Sequence, residues 1–390
     1  MVAKPEERDY VFYFNNENTS FMSHLVPANI RKKFVFGKFI SYKKLYPIDD
    51  NQNFKLCNLS SKAARRIKKH KKIIVLDSST EGFSNIYSVP SLDKIYSIID
   101  LYDFNPSNVV LVSMNLFSEK TVKEHAARHG FDPIRVISKP FMIGNFVHSG
   151  QKALDVYKEL QQTKKKIVAN KRIDKFALNL NNFRREYRSD FAFYLGTSQI
   201  SHRVLQSHKQ EWHPDFSVVD FLDRTQKQKK EWAKKTPILL DKGIETNPKF
   251  YKETFFEIVN ETTVRDWHGT SKEYSEKTAR PFSKFQPFVI YGQPGSNAYL
   301  EKLGFRTYED WFDLGFDSIE DPVERMMSLY DAVRDTVDML DRMTHKQRVE
   351  WRFKNKSVLI HNYKRLFSLT EEIRRDISKF FYESAMNFVS

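Results

Sequence analysis

Short continuous apolar runs, each closed by a small polar cluster, recur through the first half of the chain. Ile73 to Leu76 ends at Asp77-Ser78-Ser79, Val109 to Val112 ends at Ser113-Met114-Asn115, and Arg135-Val136-Ile137 forms a weaker third. Runs this short and this uniform predict strands buried on both faces. Between them, Ser91 to Leu101 and Glu119 to His129 carry apolar residues at helical spacing, so a parallel sheet with helical crossovers is expected. In such a sheet functional groups gather where the strands end.

Gln151 to Lys175 interrupts this alternation. It is polar, helical in part and rich in lysine, which predicts a connection between domains. A second alternation begins near residue 172, with a strand over Phe176 to Leu180, a helix over Phe191 to Leu195, and strands over Phe256 to Val259 and Phe288 to Tyr291, the last closed by Gly292. Farther on, Asp321 can cap a helix with Pro322 in its first position and Glu324 completing a capping box. Val323, Met326, Tyr330, Val333, Val337 and Leu340 then recur at three- and four-residue steps, a stripe that predicts core packing. The pattern divides the chain into an N-terminal α/β domain over 1–165, a second over 172–340 and a helical extension over 341–390.

Composition narrows the class. With 40% hydrophobic and 14% aromatic residues over 390 positions, two cores can be filled and disorder is excluded. The single cysteine, Cys57, rules out an internal disulfide and a cysteine-rich zinc site, and fits a reducing compartment. Met1 to Tyr10 lacks the apolar core of a signal peptide and no run is long enough to span a bilayer, so a cytoplasmic protein without stable membrane insertion is expected. The eleven histidines are scattered and no Asp-x-Asp stands out after a strand, so no metal is expected.

The net charge of +15 points to a polyanionic partner, whether nucleic acid, an acidic glycan or an anionic membrane surface. Between Ser60 and Lys72 seven basic residues occur without an acid, and Lys62, Arg65, Arg66 and Lys69 share a helix face. A second cluster, Lys227 to Lys235, surrounds Trp232, and a third, Lys346 to Arg365, includes Trp351 and Phe353. Basic residues interleaved with aromatics suit phosphate contact and base stacking.

The densest candidate chemistry lies between Phe255 and Arg325. Asn260-Glu261-Thr262 follows a predicted strand, and Ser275 can cap a helix that opens with Glu276 and Lys277. A helix start offers free N–H groups and a positive dipole end, which suit a phosphate. Lys277 adds a mobile charge there, while Glu276 can accept from two ribose hydroxyls. Gly292 and Gly295 permit a tight strand-to-helix turn without forming G-x-G-x-x-G.

The order of strand, Asn260-Glu261-Thr262, Ser275-Glu276-Lys277, Arg280-Pro281 and strand resembles the donor-binding segment of the α-1,3-fucosyltransferase family and its viral relatives. The continuation Leu303-Gly304-Phe305-Arg306-Thr307-Tyr308, with Asp313, Asp317 and Arg325, resembles the phage branch; the likeness covers residues 172 to 340. It implies an α/β protein of two Rossmann-like domains facing across a central cleft, the GT-B arrangement, with a nucleotide-diphosphate sugar on the C-terminal one. It also implies transfer without a bound metal or other cofactor, with Glu276 and Lys277 holding ribose and phosphates and Glu261 beside them. The stretch Leu178 to Arg188 resembles the one that carries the family's phosphate-binding arginine, which implies Arg188 first and Arg185 second. Where the family has Glu-Asn-Ser this chain has Asn-Glu-Thr, so the identity of the donor sugar does not carry over.

An inverting transfer needs a carboxylate to take the acceptor proton. Glu81, just past the strand Ile73 to Leu76, is the expected base, with Asp77 as the alternative. The phage-like pattern and the basic surface together point to double-stranded DNA bearing hydroxymethylated pyrimidines as acceptor, in the host cytoplasm if the chain is phage-encoded. Lys62, Arg65, Arg66 and Lys69 would then meet its backbone. A surface polysaccharide or lipid-linked glycan is the alternative acceptor, and a non-catalytic nucleic-acid-binding protein on a transferase fold is a further reading.

Overall fold

A computed structural model describes residues 10–14, 29, 33–41, 61–78, 85–141, 143, 155–181, 186–208, 249–261, 263–264 and 272–386. The chain packs as two units. One comprises Met1–Met142, Trp267–Glu273 and Glu371–Ser390, the other Ile143–Asp266 and Tyr274–Thr370.

In the first unit, the sheet contains β1 (Tyr10–Phe14), β2 (Phe34–Ser41), β3 (Ile73–Ser78), β4 (Val109–Ser113) and β5 (Arg135–Ser138), side by side in that order. The last four are parallel, and β1 adds an antiparallel edge that the expectation of a parallel sheet did not include. Between the parallel strands run α1 (Ser61–Lys69), α2 (Asn85–Tyr102) and α3 (Ser118–His129). The predicted runs on β3 and β4 are buried throughout, as strands covered on both faces must be. Leu92, Ile95 and Ile99 of α2 pack with Ile74, Leu76, Val109 and Leu111, and Ala64 and Ile67 of α1 join the same core.

β2 reads differently. Phe34 and Phe36 are buried while Val35 between them is only partly so, the period-two signature of unequal faces. Phe381 packs edge-on against Phe34 at 5.1 Å. It belongs to the last part of the C-terminal helix α10 (Lys356–Met386), which counts with this unit from Glu371 onward.

The sheet of the second unit is wholly parallel, in the order β7 (Val204–His208), β6 (Ala177–Asn181), β8 (Phe256–Asn260), β9 (Phe288–Tyr291). From β6 the chain passes through α5 (Glu186–Thr197) to β7 on one side, then returns to lay β8 on the other. The carboxyl ends of β6 and β8 therefore flank a topological switch point, where open α/β sheets leave a crevice for ligands. The remaining helices are α4 (Val156–Ala169), α6 (Glu276–Ser283), α7 (Ser296–Lys302), α8 (Pro322–Asp341) and α9 (His345–Arg352), joined by the first part of α10.

The stripe on α8 is buried from Met326 to Leu340, and the Asp321 carboxylate accepts from Val323 N and Glu324 N. Trp351 and Phe353 are also core, Trp351 lying 6.1 Å from Phe256 ring to ring. The third basic cluster therefore lends no aromatic platform for stacking. Both units are α/β with Rossmann-like alternation, and no helix among the described residues is long and apolar enough to cross a membrane.

Candidate functional site

Three buried asparagines line the switch point. Asn179 and Asn181 stand two apart on β6 and so share a face; Asn260 closes β8. Asn181 Nδ2 donates to Asn179 Oδ1 at 2.5 Å, and Asn260 Nδ2 donates to Asn181 Oδ1 at 3.0 Å and to Asn179 Oδ1 at 3.3 Å. Asn260 Oδ1 is buried with no hydrogen-bond partner among the described residues. A buried amide oxygen left in this way carries a desolvation cost that a donor on a ligand would remove.

Glu261, next on the chain, fastens the start of α6. Its carboxylate accepts from Ser275 N at 3.1 Å and 3.2 Å, from Ser275 Oγ at 2.6 Å and from Thr278 Oγ1 at 2.5 Å. Ser275 is the N-cap, its hydroxyl oxygen accepting from Lys277 N at 3.3 Å and from Lys277 Nζ at 3.1 Å. Arg188, in the first turn of α5, is 2% exposed and donates from Nε to Glu261 O at 3.0 Å. Two helix starts, those of α5 and α6, thus bring their cations to the same strand end.

Lys277 Nζ lies 3.5 Å from Glu276 Oε1, and Arg280 lies 3.8 Å from the same oxygen. Burial pushes the Lys277 ammonium down to about 7, and Arg188 pushes the same way against Glu276 and Glu261. Burial raises the Glu276 carboxyl, but Lys277 and Arg280 outweigh it and hold the group below the usual carboxylate range. Glu257, within β8, is pushed up to about 7 by burial, with Arg280 opposing. Three cations, Arg188, Lys277 and Arg280, thus cluster at one strand end with Glu261 and Glu276 among them, so the cations suit a phosphate and the Glu276 carboxylate suits a hydroxyl.

Arg188, Glu261, Glu276 and Lys277 are therefore together, whereas Arg185 lies outside the described residues. Asn179 and Asn181 escaped the sequence reading as site residues, and Asn260 was named only within Asn260-Glu261-Thr262, because asparagine at a strand end is ordinary turn chemistry until the partner strand is known. Two residues of the phage-like stretch are structural. Asp317 accepts from Asn297 N at 3.0 Å and Ala298 N at 2.9 Å, capping α7 where Gly295 (φ +71°) has no side chain to do so. Arg325, fully buried, donates to the carbonyls of Gly292, Ile319, Glu320 and Val264.

Elsewhere in the second unit a cavity of about 560 Å³ is lined by Glu301, Glu309, Asp313 and Asp317 among others. Its carboxylates oppose an anionic ligand, so its size does not make it the phosphate site.

In the first unit, Asp77 is buried at the carboxyl end of β3, paired in the ladder with Lys38 and Val112. Glu81 lies outside the described residues, as does the second basic cluster with Trp232. On α1, Lys62, Arg65, Arg66 and Lys69 are exposed while Ala64 and Ile67 face the core. The reading of the histidines as scattered passed over His125 and His129, one turn apart on α3 with Asp93 of α2 nearby. No protein-family model matches this chain, and no curated protein or solved structure matches it significantly.

Proposed function

We propose that this protein is a glycosyltransferase whose second unit binds a nucleotide-diphosphate sugar at the carboxyl ends of β6 and β8. The observation that carries the reading is the convergence of Arg188 and Lys277, from two helix starts, with Glu276 at the switch point. Arg188 and Lys277 meet the diphosphate, the first as a planar two-bond donor and the second as a point charge. Glu276 accepts from the ribose hydroxyls, and Asn260 Oδ1 offers one more buried acceptor. Glu261 is a positioning residue, since its oxygens are taken up by Ser275 and Thr278.

Charge accumulates on the departing diphosphate as the bond to the anomeric carbon breaks, and donors already in place there lower the barrier. The acceptor hydroxyl attacks that carbon and gives its proton to a carboxylate, for which Glu81 is assigned and Asp77 is the alternative. This chemistry is what the resemblance of the donor segment to GT-B transferases implies. Double-stranded DNA bearing hydroxymethylated pyrimidines is the proposed acceptor, supported by the exposed cationic face of α1 and the net charge of +15.

Calorimetry of the full chain against a panel of nucleotide sugars tests the donor half. Binding that falls by roughly ten- to hundredfold in Lys277→Ala is expected from loss of one charge-assisted bond of about 1.5–3 kcal/mol. DNA binding without any nucleotide-sugar binding would instead make the protein a non-catalytic nucleic-acid binder. Mass analysis of nucleosides from modified DNA incubated with the same donors tests the acceptor, and transfer to a glycan alone would replace it.

A further inference from the structure

A second cluster of polar groups lies within the first unit, on α2 and α3. His125, near the end of α3, is 0% exposed, and neither of its ring nitrogens has a hydrogen-bond partner among the described residues. Asp93 Oδ1 of α2 is 3.3 Å from His125 Nε2. His129 follows one helical turn on, its ring centroid 4.5 Å from that of His125. One ligand atom from each of the three residues falls within 4.8 Å of the others.

A buried imidazole with no hydrogen bond to either nitrogen, and only the Asp93 carboxylate near Nε2, is costly unless something further occupies one of them. Tetrahedral zinc, with bonds of about 2.0–2.1 Å, sets neighbouring ligand atoms roughly 3.4 Å apart. Asp93 and His125 already stand at that separation. His129 and Asp93 are exposed, so their side chains can turn the last distance, while His125 is held by stacking on Tyr96 at 5.6 Å.

We propose that Asp93, His125 and His129 form a site for a divalent transition-metal ion of the zinc class, which clips α2 to α3. Two imidazoles and a carboxylate favour zinc or cobalt over magnesium or calcium, and water fills the fourth position. Three protein ligands and a water is also the pattern of catalytic zinc, and it is the place of the site in the fold that assigns it a structural role. A crossover helix leaves the carboxyl end of one strand and returns to the amino end of the next, so the end of α3 lies at the amino edge of the sheet. Ligand chemistry in such sheets occupies the opposite edge.

The test uses the full chain without a histidine tag, stripped with a chelator and titrated with Co²⁺ and then Zn²⁺. One ion per chain is expected, with visible d–d bands for tetrahedral cobalt and a melting temperature that rises with free metal. His129→Gln and Asp93→Asn change exposed side chains, so the metal-free variants should melt with the wild type. Each should lose the cobalt bands and weaken binding by more than the roughly 10- to 100-fold that loss of an outer-shell partner costs. Absence of stoichiometric binding, binding that survives either substitution, or equal binding of Mg²⁺ would each overturn the assignment.

Discussion

The Lys277 ammonium, drawn down to about 7 by burial with Arg188 adding to the effect, is half-charged near neutral pH in the free protein. A diphosphate brought beside it favours the charged form, so binding there takes up a proton. Affinity for a nucleoside diphosphate should therefore fall as pH rises above about 7, by up to about tenfold per unit, and calorimetry in two buffers of different ionisation enthalpy reads the proton directly. An affinity independent of pH across that range would remove Lys277 from the phosphates. The same groups shape stability in the absence of ligand. Glu257 binds its proton more tightly folded than unfolded, so its contribution is full below the ordinary value of 4.5 and is lost as pH rises to about 7. Lys277 binds its proton less tightly folded, so stability recovers from about 7 towards 10.5. Urea unfolding across pH should show both limbs, with Glu257→Gln removing the falling one and Lys277→Met the rising one. Of these residues, Glu276 and Lys277 were legible in the sequence because a serine cap and a preceding strand place them locally. Glu257 was not, since one carboxylate in a strand pattern gives no sign that both faces are covered.

At the scale of elements, the start of α6 is held by Glu261 across a gap of 14 residues to Ser275. Glu261→Ala should cost about 1.5–3 kcal/mol in urea unfolding, the range for a hydrogen bond to a charged group, and should also weaken nucleotide binding. Lys277→Ala should weaken binding with no loss of stability. A Glu261 variant that binds normally would show that α6 does not depend on this tie. Helix α8 was readable to its first residue because Asp321 caps its own chain neighbours, Val323 and Glu324. The cap of α7 was not readable, because Asp317 reaches it from 20 residues away. Strands β3 and β4 show themselves as unbroken apolar runs, while β2 mixes Phe34 and Phe36 with less buried neighbours, and the short β7 carries Gln206 and Ser207 towards its end. The signal fades where a strand is less than fully enclosed, as in β2, or where it buries polar side chains, as in β7.

For the molecule as a whole, the charge of +15 becomes testable through the exposed face of α1. Replacing Arg65, Arg66 and Lys69 with glutamine should weaken duplex binding alike for all sequences. It should also flatten the slope of log affinity against log salt, by about 0.9 for each phosphate that is no longer neutralised. Wild-type protein that shows no salt-dependent binding to DNA would withdraw DNA as the acceptor and leave the donor site untouched. The all-parallel order of the second sheet carries a consequence of another kind. Parallel neighbours cannot be zipped by a tight turn. β6 and β8 must find each other from afar, and the bond between Asn179 and Asn260 joins residues 81 positions apart. The entropy of closing so long a loop is lost before the contacts that offset it exist, which makes such pairings slow. After dilution from denaturant, helical far-ultraviolet signal should return first and the capacity to bind a nucleotide sugar should lag behind it. A chain newly released from the ribosome would then pass through an interval in which its helices are formed but its ligand has nowhere to rest.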